Sequence, residues 1–172
     1  MRSPNAIILS HLETTSIAET YGSIRKAIPN DDVFRNAVLE LLEGTDPDHR
    51  AFAIELLAEL PHTEENATLI ATHCTDSEEW VCNHAWNRLG EFGSLAHFFI
   101  GEAYRIVVEQ ADAPDQCQRA EAIRFLLRVA YDDYHKQLLP LMFSGLEDRN
   151  SPAHFFYWLI AAQLGYIEPD DD

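Results

Sequence analysis

Basic residues are scarce in this sequence, and their scarcity disfavours several functions. The chain of 172 residues has 29 Asp and Glu against 12 Lys and Arg, a formal net charge of −17. Affinity for nucleic acid comes largely from cationic side chains that neutralise phosphates, so we expect no direct nucleic-acid binding and no contact with anionic membranes. A surface of this charge instead attracts cationic partners and raises their association rate.

Cysteines and long hydrophobic runs are also few. Cys74, Cys82 and Cys117 are an odd number without paired spacing, which is typical of a reducing compartment where cysteine serves as a small apolar residue. The longest apolar runs, such as 155–162, are less than half of the roughly 20 residues that a membrane-spanning helix requires. The first residues lack a secretory signal pattern. We therefore expect a cytoplasmic protein.

Common catalytic motifs are absent. The sequence contains no Gly-x-Ser-x-Gly elbow, no phosphate-binding Gly-x-x-x-x-Gly-Lys and no His-Glu-x-x-His. His73, Cys74, Cys82 and His84 raise the question of zinc, but zinc ligands usually come in pairs spaced about two to four residues apart, whereas His73 and Cys74 are adjacent. We predict no metal, no cofactor and no catalytic residue.

The alternating pattern of β-strands is almost missing, and turn residues divide the chain into about nine helical segments. Asp46 before Pro47 predicts a capped helix start, and Asp76 with Glu79 predicts a capping box. Pro140 predicts a kink or break in the eighth segment. The predicted helices include residues 7–28, 32–43, 47–60, 95–111, a helix opening at Pro114, and 152–165.

A similar junction recurs when the segments are paired from the second onward: an acidic turn, then a helix of small and apolar residues that ends in leucine. The clearest copies are residues 44–57 and 74–89, and weaker copies are 112–126 and 146–165. Ala53, Ala85 and Ala122 are 32 and 37 residues apart, within the variation that solenoid repeats tolerate.

This pattern resembles the HEAT repeat, whose helix pairs carry a turn Asp followed by a Val-Arg step and then Ala and Leu on the second helix. The resemblance covers about residues 31–166 and implies an all-α fold, a right-handed superhelical stack of antiparallel helix pairs (an α-α solenoid). The length and composition of the chain predict one domain over 1–167, with an acidic disordered tail at 168–172. An irregular helical bundle is the alternative. Proteins with HEAT repeats usually serve as scaffolds or inhibitors, and the DNA glycosylases among them have a basic groove that this sequence does not match.

Acidic residues are concentrated between Glu40 and Glu79, where eleven acids accompany one base, Arg50. Stacked repeats would place the acids of two successive turns along one edge, and we name these acids the acidic ridge: Asp46, Asp48, Asp76, Glu78 and Glu79. Taken singly, Asp46 and Asp76 are explained by helix capping. Trp80 follows the ridge; its type favours a core position, while an aromatic side chain among carboxylates also suits a cationic partner, and on that ground Trp80 joins the predicted set. Glu64 and Glu65 lie beside the opposite turn and complete the predicted partner-binding set.

The leading hypothesis is a non-catalytic interaction protein that binds a basic protein partner through the acidic ridge, as an inhibitor or immunity protein of a nuclease-type toxin would. A nucleic-acid mimic is a related possibility. The alternatives are an enzyme or accessory subunit with a site in the concave face of the stack, and a scaffold whose charge only maintains solubility. The aromatic run 155–160 predicts a buried terminal helix or, as the alternative, a homodimer contact, so we expect a monomer or a weak homodimer.

Overall fold

A computed structural model describes residues 3–12, 17–111 and 116–168, with the backbone only at 17 and 18. These residues form ten α-helices and one 3-10 segment and contain no strand, which confirms the all-α prediction. Backbone contacts divide the chain into two compact units, residues 1–88 and 89–172. The superhelical arrangement, the antiparallel pairing and the single domain stay predictions.

The first unit contains six helices. They are α1 (Pro4–Leu9), α2 (Ile17–Ala27), α3 (Asp31–Leu42), α4 (Pro47–Ala58), α5 (Glu64–Ala71) and α6 (Glu79–Leu89), whose last residue belongs to the second unit. Helix α3 packs against α1 and α4, and α4 also contacts α2 and α5. Apolar side chains from these helices, among them Phe34, Val38, Ile54, Leu57 and Trp86, form a buried core.

Side-chain caps fix the starts of α3, α4 and α5 in this unit. The Asn30 side chain accepts a hydrogen bond from the Val33 amide at 3.0 Å before α3, and Thr63 accepts one from the Asn66 amide at 3.2 Å before α5. Asp46 caps α4 and is followed by Pro47 in the first turn, as the sequence predicts. Such caps satisfy amide groups that have no partner within the helix.

Two predicted helix boundaries in the first unit are wrong. The segment 7–28 is two helices, because α1 ends at Leu9 and the Ser10 hydroxyl then donates to the Ile7 carbonyl oxygen at 2.7 Å; residues 13–16 lie outside the described residues. Helix α6 begins at Glu79, whereas a capping box at Asp76 predicts a start at Ser77. Asp76 has a different role, described below.

The second unit contains a 3-10 segment (Gly90–Phe99) and the helices α7 (Ile100–Glu109), α8 (Cys117–Val129), α9 (Tyr131–Glu147) and α10 (His154–Gln163). Helix α8 is its centre, since the other four elements all pack against it. Residues 120–127 are consequently buried around the whole circumference of α8, including Glu121 and Arg124. These two side chains pair with each other at 3.1 Å, and Arg124 also donates to Gln163 at 3.0 Å.

Local geometry corrects two predictions in this unit. The helix predicted over 95–111 begins only at Ile100, after the 3-10 segment, in which Gly93 has a φ of 54° that glycine adopts without strain. Pro114 lies outside the described residues. Helix α9 continues through Pro140, so the helix does not break there, whereas the predicted kink stays a prediction. Pro140 is exposed, and water can solvate the carbonyl group that loses its intrahelical donor.

The terminal helix α10 is buried on one side only. Tyr157, Ile160 and Ala161 are buried, whereas 60% of Phe155 is exposed. Tyr157 packs so tightly on α9 that a Cβ atom at Gly145 would lie 2.3 Å from its ring. The predicted tail is described only at Glu168, since residues 169–172 lie outside the described residues.

No helix within the described parts of the chain has both the length and the apolar character that crossing a bilayer would need.

Candidate binding surface

Arg50 joins the two acidic turns of the first unit. Its guanidinium group forms a bidentate pair with Asp76, from Nε to Oδ2 at 2.8 Å and from Nη2 to Oδ1 at 2.7 Å. The same group donates from Nη1 to the carbonyl oxygens of Gly44 at 3.1 Å and Thr45 at 2.9 Å. One arginine therefore holds the α3–α4 turn against the α5–α6 turn, although Arg50 and Asp76 are 26 residues apart in the sequence.

Asp76 is an internal residue, unlike the surface acid that the ridge hypothesis expects. Only 7% of its side chain is exposed, and it accepts hydrogen bonds from the Glu78 amide at 3.0 Å and pairs with the His73 ring at 3.1 Å. Burial alone would raise the pKa of Asp76, but the hydrogen bonds from Arg50, the Glu78 amide and His73 outweigh burial and hold the pKa well below its usual range. Its charge is thus neutralised within the fold.

The other four ridge acids remain exposed. Asp46 caps α4 by accepting from the Asp48 amide at 2.9 Å, yet half of its side chain is still exposed. Asp48 and Glu79 lie in the first turns of α4 and α6, where the helix dipole stabilises negative charge. Among the basic side chains that the structure describes, none forms an ion pair with Asp48 or Glu78.

Trp80 stands at the start of α6 with 38% of its surface exposed, so the core alternative for this residue is wrong. It lines a cleft of about 400 Å³ in the first unit, which we name the Trp80 cleft. Residues of α4 and α6 line the cleft, and Asp48 is one of them. Its lining consists of Leu12, Asp48, Ala51, Phe52, Glu55, Trp80 and His84.

A chain of polar contacts supports one wall of the Trp80 cleft. Arg88 pairs with one oxygen of Glu55, and the other oxygen holds Nδ1 of His84 at 2.7 Å. The His84 ring lies nearly perpendicular to the Trp80 ring, with the centroids 5.8 Å apart. Burial would raise the pKa of Glu55, but hydrogen bonds from His84 and Arg88 lower it on balance, so Glu55 stays ionised beneath the cleft.

Sequence reasoning missed Glu55, His84 and Arg88. A usable signal existed, because Glu55 is a single acid within a run of α4 that is otherwise buried, from Ala51 to Ala58. His84 and Arg88 are four residues apart, so they share one face of α6. The spacing of these residues in the sequence does not show that this face of α6 packs onto Glu55.

Glu64 and Glu65 are not brought together with the ridge. Both are exposed in the first turn of α5, at the end of that helix opposite to the α5–α6 turn. Eight residues at about 1.5 Å each separate the two ends by roughly 12 Å. Glu65 also lies 2.8 Å from Arg35.

The four residues that raised the question of zinc take part in three separate contacts. His73 contacts Asp76, His84 contacts Glu55, and the Cys82 thiol donates to the Cys74 carbonyl oxygen at 2.7 Å. No group of three or more potential metal ligands occurs among residues 3–12, 17–111 and 116–168.

The resemblance to HEAT repeats rests on the sequence of the acidic turns and stays a prediction. The function is therefore argued from the exposed acids and the Trp80 cleft. In comparisons with known proteins, the chain matches no family model, no curated protein and no solved structure.

Proposed function

We propose that this protein is a non-catalytic protein–protein interaction module that binds a basic protein partner. The binding surface consists of the exposed ridge acids Asp46, Asp48, Glu78 and Glu79 together with Trp80. The observation that carries the proposal is the exposure of these acids around an exposed tryptophan. Carboxylates supply attraction over distance, and a large aromatic side chain supplies contact area.

The use of arginine in the first unit supports this proposal. Arg25, Arg35, Arg50 and Arg88 each form an ion pair with a carboxylate of the same unit. None of these four arginines forms an ion pair with Asp48 or Glu78, so the surface keeps its negative potential. A retained potential of one sign speeds association with a surface of opposite sign, and salt weakens it.

An inhibitor or immunity protein of a nuclease-type toxin is the kind of protein that we expect. The substrate cleft of a nuclease is cationic because it must bind phosphates. A small acidic protein that covers such a cleft would exclude the nucleic acid. The partner is thus expected to be a basic protein whose activity on nucleic acid falls when this chain binds.

Affinity capture tests the proposal with variants of equal charge. The test variant combines Asp48→Asn with Glu78→Gln, and the control combines Asp32→Asn with Glu64→Gln, two exposed acids elsewhere in the same unit. We expect the wild type and the control to capture one basic protein at low salt and to release it at high salt. The test variant should bind about three- to tenfold more weakly, since each exposed ion pair contributes about 0.3–0.7 kcal/mol.

The loss should appear mainly in the association rate, which biolayer interferometry measures once the partner is purified. Equal capture by all three proteins would refute the role of these acids. A captured partner that is acidic, or capture that high salt leaves unchanged, would refute the electrostatic basis of the proposal.

One observation favours the alternative of an enzyme or accessory subunit. His84 lines the Trp80 cleft and its Nδ1 is held by Glu55 at 2.7 Å, which is the way a carboxylate orients a histidine that acts as a general base. Among the described residues that line the cleft there is no Ser, Thr or Cys side chain, so His84 would act on a water molecule. Hydrolysis of ester and phosphoester substrates that is lost in His84→Gln would support this alternative over the interaction module.

A further inference from the structure

We propose that the Trp80 cleft is the seat for one arginine side chain of the basic partner. The proposal deepens the function proposed above and rests on it, because the exposed acids would bring the partner to the surface and the cleft would select the residue. Three features of the cleft carry it: an aromatic wall, an apolar floor and an acid at the rim.

The aromatic wall is the Trp80 indole. A guanidinium or ammonium group near the face of a tryptophan is attracted by the ring electrons, and tryptophan is the strongest of the aromatic side chains in this respect. The planar guanidinium also stacks on an aromatic ring, which an ammonium does not do. An exposed tryptophan on a surface with excess negative charge therefore favours arginine over lysine.

The indole is held before any partner binds. Glu55 has only 13% of its side chain exposed and is fixed by Arg88, and it in turn fixes His84, against which Trp80 packs. A side chain that is already ordered loses little conformational freedom when it binds. The contacts from Arg88 to Trp80 thus prepare the wall of the seat.

The floor and the rim match the two parts of an arginine side chain. Ala51 and Phe52 are 3% and 8% exposed and form an apolar floor for the methylene stem. Asp48 at the rim can accept hydrogen bonds from the guanidinium, since no basic side chain in the described parts of the chain pairs with it. The volume of about 400 Å³ lies near the lower end of ligand pockets, at roughly 300–1,000 Å³, which suits a single side chain.

The charges around the seat are compatible with a cation. The positive charge of Arg88 is compensated by Glu55 at the same place, so it does not oppose an incoming guanidinium. Asp48 contributes a negative charge, and Glu79 precedes Trp80 on α6.

Nuclear magnetic resonance on the 15N-labelled chain tests the seat with short peptides. The probes are tetra-arginine, tetralysine and tetracitrulline, which has the shape of tetra-arginine without its charge. The indole signal of Trp80 is identified by its loss in Trp80→Phe. We expect tetra-arginine to shift this signal and to bind about three- to fivefold more tightly than tetralysine, as a cation–π contact at an exposed site implies; tetracitrulline should not bind.

Trp80→Ala should bind tetra-arginine and tetralysine equally, at or below the affinity of the wild type for tetralysine, because both cations lose the attraction of the ring. The far-ultraviolet circular dichroism of this variant should match the wild type, since Trp80 is outside the core. Asp48→Asn should weaken the binding of tetra-arginine more than Asp32→Asn does. Asp32→Asn is the control because it removes the same charge elsewhere in the unit.

The outcomes separate the seat from the function on which it rests. If both cationic peptides bind equally and the Trp80 signal does not move, the seat is refuted and the acidic surface stands. If tetralysine binds more tightly, the seat for arginine is refuted likewise. If neither peptide binds at low salt, both the seat and the acidic surface are refuted.

Discussion

Removal of the Asp76 carboxylate by Asp76→Asn should destabilise the first unit strongly. Asp76 and Arg50 have 7% and 11% of their side chains exposed, and two charge-assisted hydrogen bonds join them. Removing one partner of such a buried pair leaves an uncompensated charge and costs about 3–5 kcal/mol. Because the asparagine oxygen can still accept from the Glu78 amide, we expect the lower end, about 3 kcal/mol.

Urea denaturation at pH 7, followed by circular dichroism, measures this loss. Asp48→Asn is the matched control, since Asp48 is exposed at the neighbouring turn, and it should change the free energy of unfolding by less than about 0.5 kcal/mol. A double-mutant cycle with Arg50→Met isolates the pair. The free energy of unfolding should fall in the double variant by less than the two single losses added together. We expect a shortfall of about 1–3 kcal/mol, which is the interaction energy of the pair.

The dependence on pH gives a second check, with its sign set by the lowered pKa of Asp76. The carboxyl group titrates near pH 4 in the unfolded chain and at a lower pH in the folded one. Its stabilising contribution is therefore fully present above about pH 5 and is lost as the pH falls through the folded pKa. The difference between wild type and Asp76→Asn should shrink as the pH falls below 4, relative to its value at pH 5. Additive effects in the cycle, or a difference that grows in acid, would refute this reasoning.

Two further predictions concern the second unit. Gly145→Ala should lower the free energy of unfolding by about 1–3 kcal/mol, because its Cβ would meet the Tyr157 ring at 2.3 Å; Gly101→Ala, with no atom within 4 Å of the new Cβ, should be neutral or stabilising, and thermal unfolding compares the two. Glu121→Gln should cost about 3 kcal/mol in urea denaturation because it leaves a buried arginine without its carboxylate. Glu102→Gln, which breaks an exposed ion pair on α7, should cost less than about 1 kcal/mol, and equal losses in the two variants would contradict the role given to burial.

Helix content and several helix starts could be predicted from the sequence because they depend on neighbouring residues. Asn30, Asp46 and Thr63 each cap the helix that follows, and a cap needs only the two or three amides next along the chain. The predicted helix boundaries were wrong where the local sequence signal competed with tertiary packing. Residues 90–99 form a 3-10 segment and not the start of a long α-helix, although their composition is apolar enough for one.

The tertiary structure decided which acids form the surface. Asp48 and Asp76 look alike in the sequence, since each belongs to an acidic junction where a helix starts. Arg50 separates them, because it reaches across to Asp76 and leaves Asp48 exposed. The sequence contains both partners of this pair, but a charge is neutralised by its neighbours in space and not by its neighbours along the chain.

The sequence by itself determined the helical class, the capped turns and the excess of negative charge, which follow from composition and from contacts a few residues apart. Only the tertiary structure placed Glu55 under His84 and opened the cleft beside Trp80, because Glu55 and His84 are 29 residues apart. Contacts of that separation depend on how helices pack, and the helical periodicity fixes which face of a helix is apolar without fixing which helix covers it.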